Sequence, residues 1–237
     1  MDPLFQNNIN LAEKQKFAQM AENWWDKTGP MQPLHLINPT RLSYIAQQVS
    51  LAGVQVLDIG CGGGILSEGL AGLGANVFAV DINPELIQIA NHHQEGKSLN
   101  INYQVANINE ILASNQQFPV ITCMELLEHV PNPCLFVAQC AKLLKPGGMV
   151  FFSTLNRTLK SFLAAIIGAE YLFKLLPKGT HDYDQFIKPS ELTGWANQAQ
   201  LKFHHISGIS FNPLAQEINK FSLSSNVSVN YIICFEK

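Results

Sequence analysis

Within Met124-Glu-Leu-Leu-Glu-His-Val-Pro131, two carboxylates and an imidazole fall inside five residues. If one helical turn follows Met124, then Glu125, Glu128 and His129 stand at i, i+3 and i+4 and share a face. Such a set suits a divalent cation, with water and substrate completing the shell. It equally suits a short helix capped by Glu128, with His129 packed, hydrogen-bonded or accepting a proton from substrate. As a metal ligand, His129 would not be free to take that proton, and the residues leave both readings open. A second set lies upstream. Gly60, Gly62, Gly63 and Gly64 follow an apolar run of Val54, Val56, Leu57 and Ile59 that contains Asp58, and Asp81 closes another apolar run from Asn76. Glycines let a backbone turn tightly beside a ligand, N–H groups at a helix starting near Ile65 attract an anion, and an acid at the next strand end is placed for ribose hydroxyls.

Holding these groups requires a sheet. Val54 to Ile59 and Asn76 to Ile82 read as buried parallel strands, Ile101 to Val105 as a third, Phe118 to Met124 as a fourth and Met149 to Thr154 as a fifth. Helices are expected from Ile65, from Pro84 to about Gly96, and from Pro133 to Leu144, where Lys145-Pro-Gly-Gly148 ends the last. This alternation predicts an α/β domain with a mostly parallel sheet covered by helices on both faces. After a helix over Pro189–Gln198, Leu201 to Ile206 and Val227 to Phe235 read as an antiparallel pair. In an open sheet of this kind ligands bind outside the carboxyl ends of the strands, so the loop after Met124 borders the pocket.

Composition narrows the function. The 237 residues suit a single domain (1–237), with an N-terminal helical extension over 1–50. A net charge of -3 gives no basic footprint, so nucleic-acid binding has little support. The five cysteines form no Cys-x-x-Cys pair, which favours reduced thiols, and no secretory signal is visible at the N-terminus. A dinucleotide fingerprint needs glycine at the sixth position from Gly60, where this chain has Ile65. An NAD-dependent oxidoreductase therefore loses ground. A non-catalytic lipid- or complex-binding protein on the same scaffold would not need the intact pocket positions.

The glycine turn and Asp81 together resemble the class I S-adenosylmethionine-dependent methyltransferases. The resemblance implies a Rossmann-like, seven-stranded sheet with an antiparallel C-terminal strand. It puts Gly60 and its neighbours, including Asp58 and Gly62, at the methionine end of the cofactor, Asp81 at the ribose and Met124 against the adenine as a polarizable wall. Arg41 can clamp the cofactor carboxylate bidentately, or else it belongs to a surface ion pair. Arg41-Leu-Ser-Tyr-Ile45, Leu57 to Leu66, Thr122 to Pro131, Phe151 to Arg157, Gly168-Ala-Glu-Tyr171 and Pro177 to Asp182 are similar to the ubiquinone-biosynthesis O-methyltransferases. Trp24-Trp-Asp26 and Asn38-Pro-Thr-Arg41 make the match specific, although two tryptophans ahead of a core can simply anchor a helix. The family implies O-methylation of catechol-type hydroxyls on polyprenylated ubiquinone precursors at two pathway steps. It further implies Mg2+ held by Glu125, Glu128 and His129; Glu128 and His129 are also the candidate catalytic residues of this sequence.

The connection after the fifth strand, 156–188, is longer than an αβ linker needs and reads as a lid or docking surface. Its apolar run is too short to span a bilayer. Phe162, Leu163, Ile166 and Ile167, with Leu172, Phe173, Leu175 and Leu176 beyond, form an apolar cluster beside Lys160, Lys174 and Lys178. A polyprenylated substrate lies in the membrane, so the expectation is a cytoplasmic enzyme held peripherally on anionic lipids at the inner face of the membrane, within reach of a ubiquinone-biosynthesis complex.

Overall fold

The computed structural model describes residues 8–161, 183–216 and 220–237. Its N-terminal segment holds α1 (Leu11–Ala18), a short 3-10 turn over Ala21–Asn23 and α2 (Gln32–Gln48). The body follows as β1 (Gln55–Ile59), α3 (Ile65–Gly72), β2 (Asn76–Asp81), α4 (Pro84–Gln94), β3 (Ile101–Val105), α5 (Ile108–Ala113), β4 (Phe118–Met124), α6 (Pro133–Leu143) and β5 (Leu144–Leu155). A one-turn α7 (Leu159–Ser161), then α8 (Pro189–Gln198), β6 (Lys202–Phe211), β7 (Phe221–Ser224) and β8 (Asn230–Glu236) complete the described chain. The central part of the 156–188 connection, with Phe162 to Leu176, Lys178 and Asp182, lies outside the described residues.

The sheet order is β3-β2-β1-β4-β5-β8-β6-β7. β1 to β5 run parallel, and β8 enters antiparallel between β5 and β6. The class I methyltransferase sheet is thus present with an eighth strand, β7, which pairs antiparallel with β6 at the edge. Phe221–Ser224 is a short run of mixed polarity, so period alone does not announce it. β5 also starts earlier than Met149, taking in the Lys145-Pro-Gly-Gly148 turn through an irregular register opposite Phe118 and Val120.

Adjacent strand residues point to opposite faces, and both faces are buried. Leu57, Ile121, Phe152 and Ile233 join one apolar cluster with Phe136 and Val137 of α6 and Leu192 of α8. Val56, Val120, Phe151 and Ile232 join the other with Tyr44 and Ile45 of α2, Leu70 of α3 and Ile87 of α4. This explains the continuous apolar character of the strands. Strand order reverses between β1 and β4, one leading out to β2 and β3 and the other to β5. The crevice at the carboxyl ends of β1 and β4 is therefore where this topology receives a ligand.

Candidate active site

The glycine turn leaves β1 at that crevice. Gly60 and Gly62 have φ of +73° and +55°, a region that disfavours any side chain, and the Gly60 N–H donates to the Val80 carbonyl at 2.8 Å. A Cβ on Gly62 or Gly63 would strike the buried Trp24 ring. The neighbouring Trp25 donates its indole N–H to the Gly63 carbonyl at 2.9 Å. Both tryptophans thus lie against the loop, and Trp24 is buried in a cluster with Ala21, Met31, Ile65 and Leu86, as a helix anchor would be.

Asp81, at the end of β2, receives the Gly62 N–H on Oδ2 and the Asn83 N–H on Oδ1, each at 2.9 Å. Burial raises its pKa against these hydrogen bonds. Asp58 sits lower. Its carboxylate is 2% exposed and accepts from Ser67 at 2.6 Å and Thr122 at 2.8 Å, tying β1 to α3 and β4. Burial pushes its pKa up to about 6. Asp58 thereby supports the loop from beneath, while Gly60, Gly62 and Asp81 form its rim. Met124 ends β4 in the cluster beneath α2 and is buried, as an apolar wall requires.

Arg41 reaches the same crevice from α2. It is buried, its Nη2 lies 2.9 Å from Glu125 Oε1, and its Nε has no hydrogen-bond partner. The ion pair is therefore a largely buried one at the carboxyl end of the sheet, and the unpaired N–H leaves donor capacity for a further anion. Glu125 Oε1 also accepts from the Ser153 hydroxyl at 2.7 Å, and its own backbone adopts φ +51°, held by a 2.9 Å hydrogen bond from its N–H to the Ser153 carbonyl. Left-handed backbone at a non-glycine residue is costly, and here it turns the Glu125 carboxylate toward Arg41.

That kink also governs the expected metal face. The helical turn after Met124 covers only Leu127–His129, as a 3-10 turn whose N-cap is Leu126, so the i, i+3, i+4 alignment does not form and Glu128 lies within the turn instead of capping it. Glu128 Oε2 accepts from Thr154 at 2.9 Å, and its buried Oε1 has no partner. Burial raises the Glu128 pKa, and the nearby Glu125 charge raises it further. His129 Nδ1 instead lies 2.8 Å from Glu13 Oε2 of α1. Burial alone would lower the His129 pKa, but contact with Glu13 and the Glu128 charge outweigh it, and the pKa is raised. Glu125, Glu128 and His129 are neighbours held by three different partners, and among the described residues no three His, Cys, Asp or Glu side chains are grouped to hold a metal ion. As arranged, these donors do not fit a shared Mg2+.

Sequence reasoning missed Glu13, Ser153 and Thr154. The hydroxyls follow β4 only through strand pairing, Met124 facing Ser153, a neighbourhood that local spacing does not encode. Glu13 lies in a short polar helix with no signal of its own.

A methyltransferase-domain family model matches residues 37–206. A ubiquinone biosynthesis O-methyltransferase of Coxiella burnetii (strain RSA 331 / Henzerling II) is 55% identical over 232 residues, covering 98% of both chains. This chain belongs to the ubiquinone biosynthesis O-methyltransferase family. A family member from Xanthomonas campestris pv. campestris (strain B100) is 48% identical, covering 98% of this chain and 96% of that one. Among solved structures, the magnesium protoporphyrin IX methyltransferase of Synechocystis PCC 6803 with bound SAH shares the fold at a TM-score of 0.65 and 15% identity, covering 94% of each chain. The N-methyltransferase NodS of Bradyrhizobium japonicum WM9, in complex with S-adenosyl-L-homocysteine, does so at 0.63 and 16%, covering 94% of this chain and 97% of NodS. This family member has a class I methyltransferase fold in which Asp81 accepts from the glycine turn after β1 and the under-satisfied Arg41 pairs with Glu125 after β4. These three features fit a cofactor that carries a ribose and an amino-acid carboxylate.

Proposed function

We propose that this protein transfers a methyl group from S-adenosylmethionine to catechol-type hydroxyls of polyprenylated ubiquinone precursors, at both O-methylation steps. The observation that carries this reading is the convergence, at the β1–β4 switch point, of a cofactor rim with buried acid–base groups on the β4 loop. The cofactor, when bound, supplies an electrophilic methyl on a sulfonium centre. Gly60 and Gly62 would face its methionine end, Asp81 would hold the ribose, Met124 would wall the base and Arg41 would take the carboxylate. Binding of this kind aligns acceptor oxygen and methyl, and positioning supplies much of the rate.

The chain must also accept a proton. A phenolic hydroxyl titrates near ~10, so a positioned base at the acceptor oxygen is needed near neutral pH. Glu128 has an unpartnered buried Oε1 and a raised pKa, which suits a carboxyl that takes a proton and keeps it out of water. His129, beside it, is the second acceptor, relaying the proton toward solvent.

The acceptor tail sets the location. No helix among the described residues is long and apolar enough to cross a membrane, so the enzyme would meet its lipid substrate at a surface. The apolar and lysine-bearing residues of 160–178 supply the expected contact with anionic lipids at the cytoplasmic face, where a biosynthetic complex would also dock. Incubation with labelled cofactor and short-chain analogues of both acceptors tests the assignment; labelling of neither acceptor would overturn it.

A further inference from the structure

The N-terminal helix α1 has no fully buried residue, although Phe17 packs part-buried against the Trp24 cluster. Polar contacts add specific ties. Asn8 and Asn132 exchange two hydrogen bonds, Asn8 Nδ2 to the Asn132 carbonyl at 3.0 Å and the Asn132 N–H to Asn8 Oδ1 at 2.7 Å. Asn83, buried two residues beyond Asp81, donates to the Lys14 carbonyl at 2.9 Å. Between these ties Glu13 reaches His129, and the Phe17 ring stands edge-on to the imidazole with centroids 5.3 Å apart. One short helix therefore spans from the cofactor turn after β2 to the acid–base loop after β4.

An imidazole has two distinct nitrogens, and the partner of one decides what the other does. His129 is only 12% exposed at its side chain, and its Nδ1 lies 2.8 Å from Glu13 Oε2. We infer that Glu13 is a positioning residue for His129, holding the ring by Nδ1 so that Nε2 is the nitrogen left to take the proton on from Glu128. The active site is then completed by the N-terminal segment, from a residue far from the β4 loop in sequence. This inference rests on the role given to His129 above.

The test combines turnover, cofactor affinity and the ring-nitrogen NMR signals of His129 at fixed pH in the full-length protein. In Glu13→Gln we expect kcat to fall about 10- to 100-fold, part of the ~10²–10⁴ that a positioned acid–base group contributes. The S-adenosylhomocysteine affinity should stay within about twofold, and the His129 ring signals should move as the Nδ1 partner changes. Glu13→Asp, which keeps the carboxylate, should recover part of the loss. In a His129→Gln background the Glu13→Gln change should cost nothing further, because both act through one ring. An equal loss in that background, or cofactor affinity falling in step with kcat, would make Glu13 a merely structural tie and overturn the inference. Full turnover in His129→Gln would instead overturn the reading of His129 itself. The NMR signals then decide the contact separately, since ring signals unchanged by Glu13→Gln would overturn that as well.

Discussion

Arg41 and Glu125 form an ion pair, Nη2 to Oε1 at 2.9 Å, across the crevice between α2 and the end of β4. The guanidinium expected to hold the cofactor carboxylate thus already holds a protein carboxylate. Their side chains are 7% and 20% exposed, so neither charge is well hydrated once its partner is removed.

The first prediction follows from that relationship. Arg41→Met should destabilise the fold by roughly 2–3 kcal/mol, somewhat less than the ~3–5 kcal/mol of a fully buried pair, and Arg41→Met with Glu125→Gln should recover much of it. S-adenosylhomocysteine affinity should fall at least about tenfold in both, as expected from losing a charge-assisted contact of ~1.5–3 kcal/mol. Urea unfolding and calorimetry measure the two quantities. Recovery of affinity along with stability in the double variant would remove Arg41 from the cofactor site.

How much of this was legible beforehand depended on the range of the signal. The Gly60–Gly64 turn, Asp81 and the five parallel strands are local patterns of period and residue type, and the structure contains them. The Glu125–Glu128–His129 face rested on assuming helix directly after Met124. The chain instead turns left-handed at Glu125, held by Ser153 across the strand pair, and that tertiary contact has no local signature. Asp58 was legible as part of the motif but not as its support, since the Ser67 and Thr122 hydroxyls that claim its oxygens come from a helix and a second strand.

Asp58 gives a pH prediction. Its folded pKa, raised by burial to about 6, lies above the ~3.9 of an unfolded aspartate. The native state therefore holds the proton more tightly. This group's stabilising contribution is full below about pH 4 and is lost as pH rises through about 6. The difference is on the order of 3 kcal/mol. Asp58→Asn removes the ionisation, and the neighbouring hydroxyls can reorient to its amide. The stability of Asp58→Asn relative to the parent should rise between pH 4 and pH 7 in urea titrations; a pH-independent difference would show that Asp58 does not carry this effect.

Metal affinity can be read directly. With Glu125, Glu128 and His129 each held by a different partner, Mg2+ added to the cofactor-free enzyme should bind no tighter than about millimolar, as a site without converging oxygen ligands would. Calorimetry with Mg2+ alone checks this. Tight binding that disappears in Glu125→Gln would mean that the ion exchanges these contacts for its own.

Membrane contact is tested on the 160–178 segment. The parent should sediment with vesicles containing anionic lipid, less so at high salt, and the folded double variant Ile166→Asp plus Ile167→Asp should sediment less. Equal sedimentation of parent and variant would make the segment a roof over the active site and place membrane access elsewhere.

The most direct test of the central claim is transfer of a labelled methyl group from S-adenosylmethionine to a short-chain demethylated quinol by the full-length enzyme. The account predicts labelled O-methyl product from the parent and a rate lowered about 10²- to 10⁴-fold by Glu128→Gln, the span assigned to a positioned acid–base group. Enzyme that binds the cofactor yet leaves the quinol unlabelled, or Glu128→Gln turning over as fast as the parent, would contradict it.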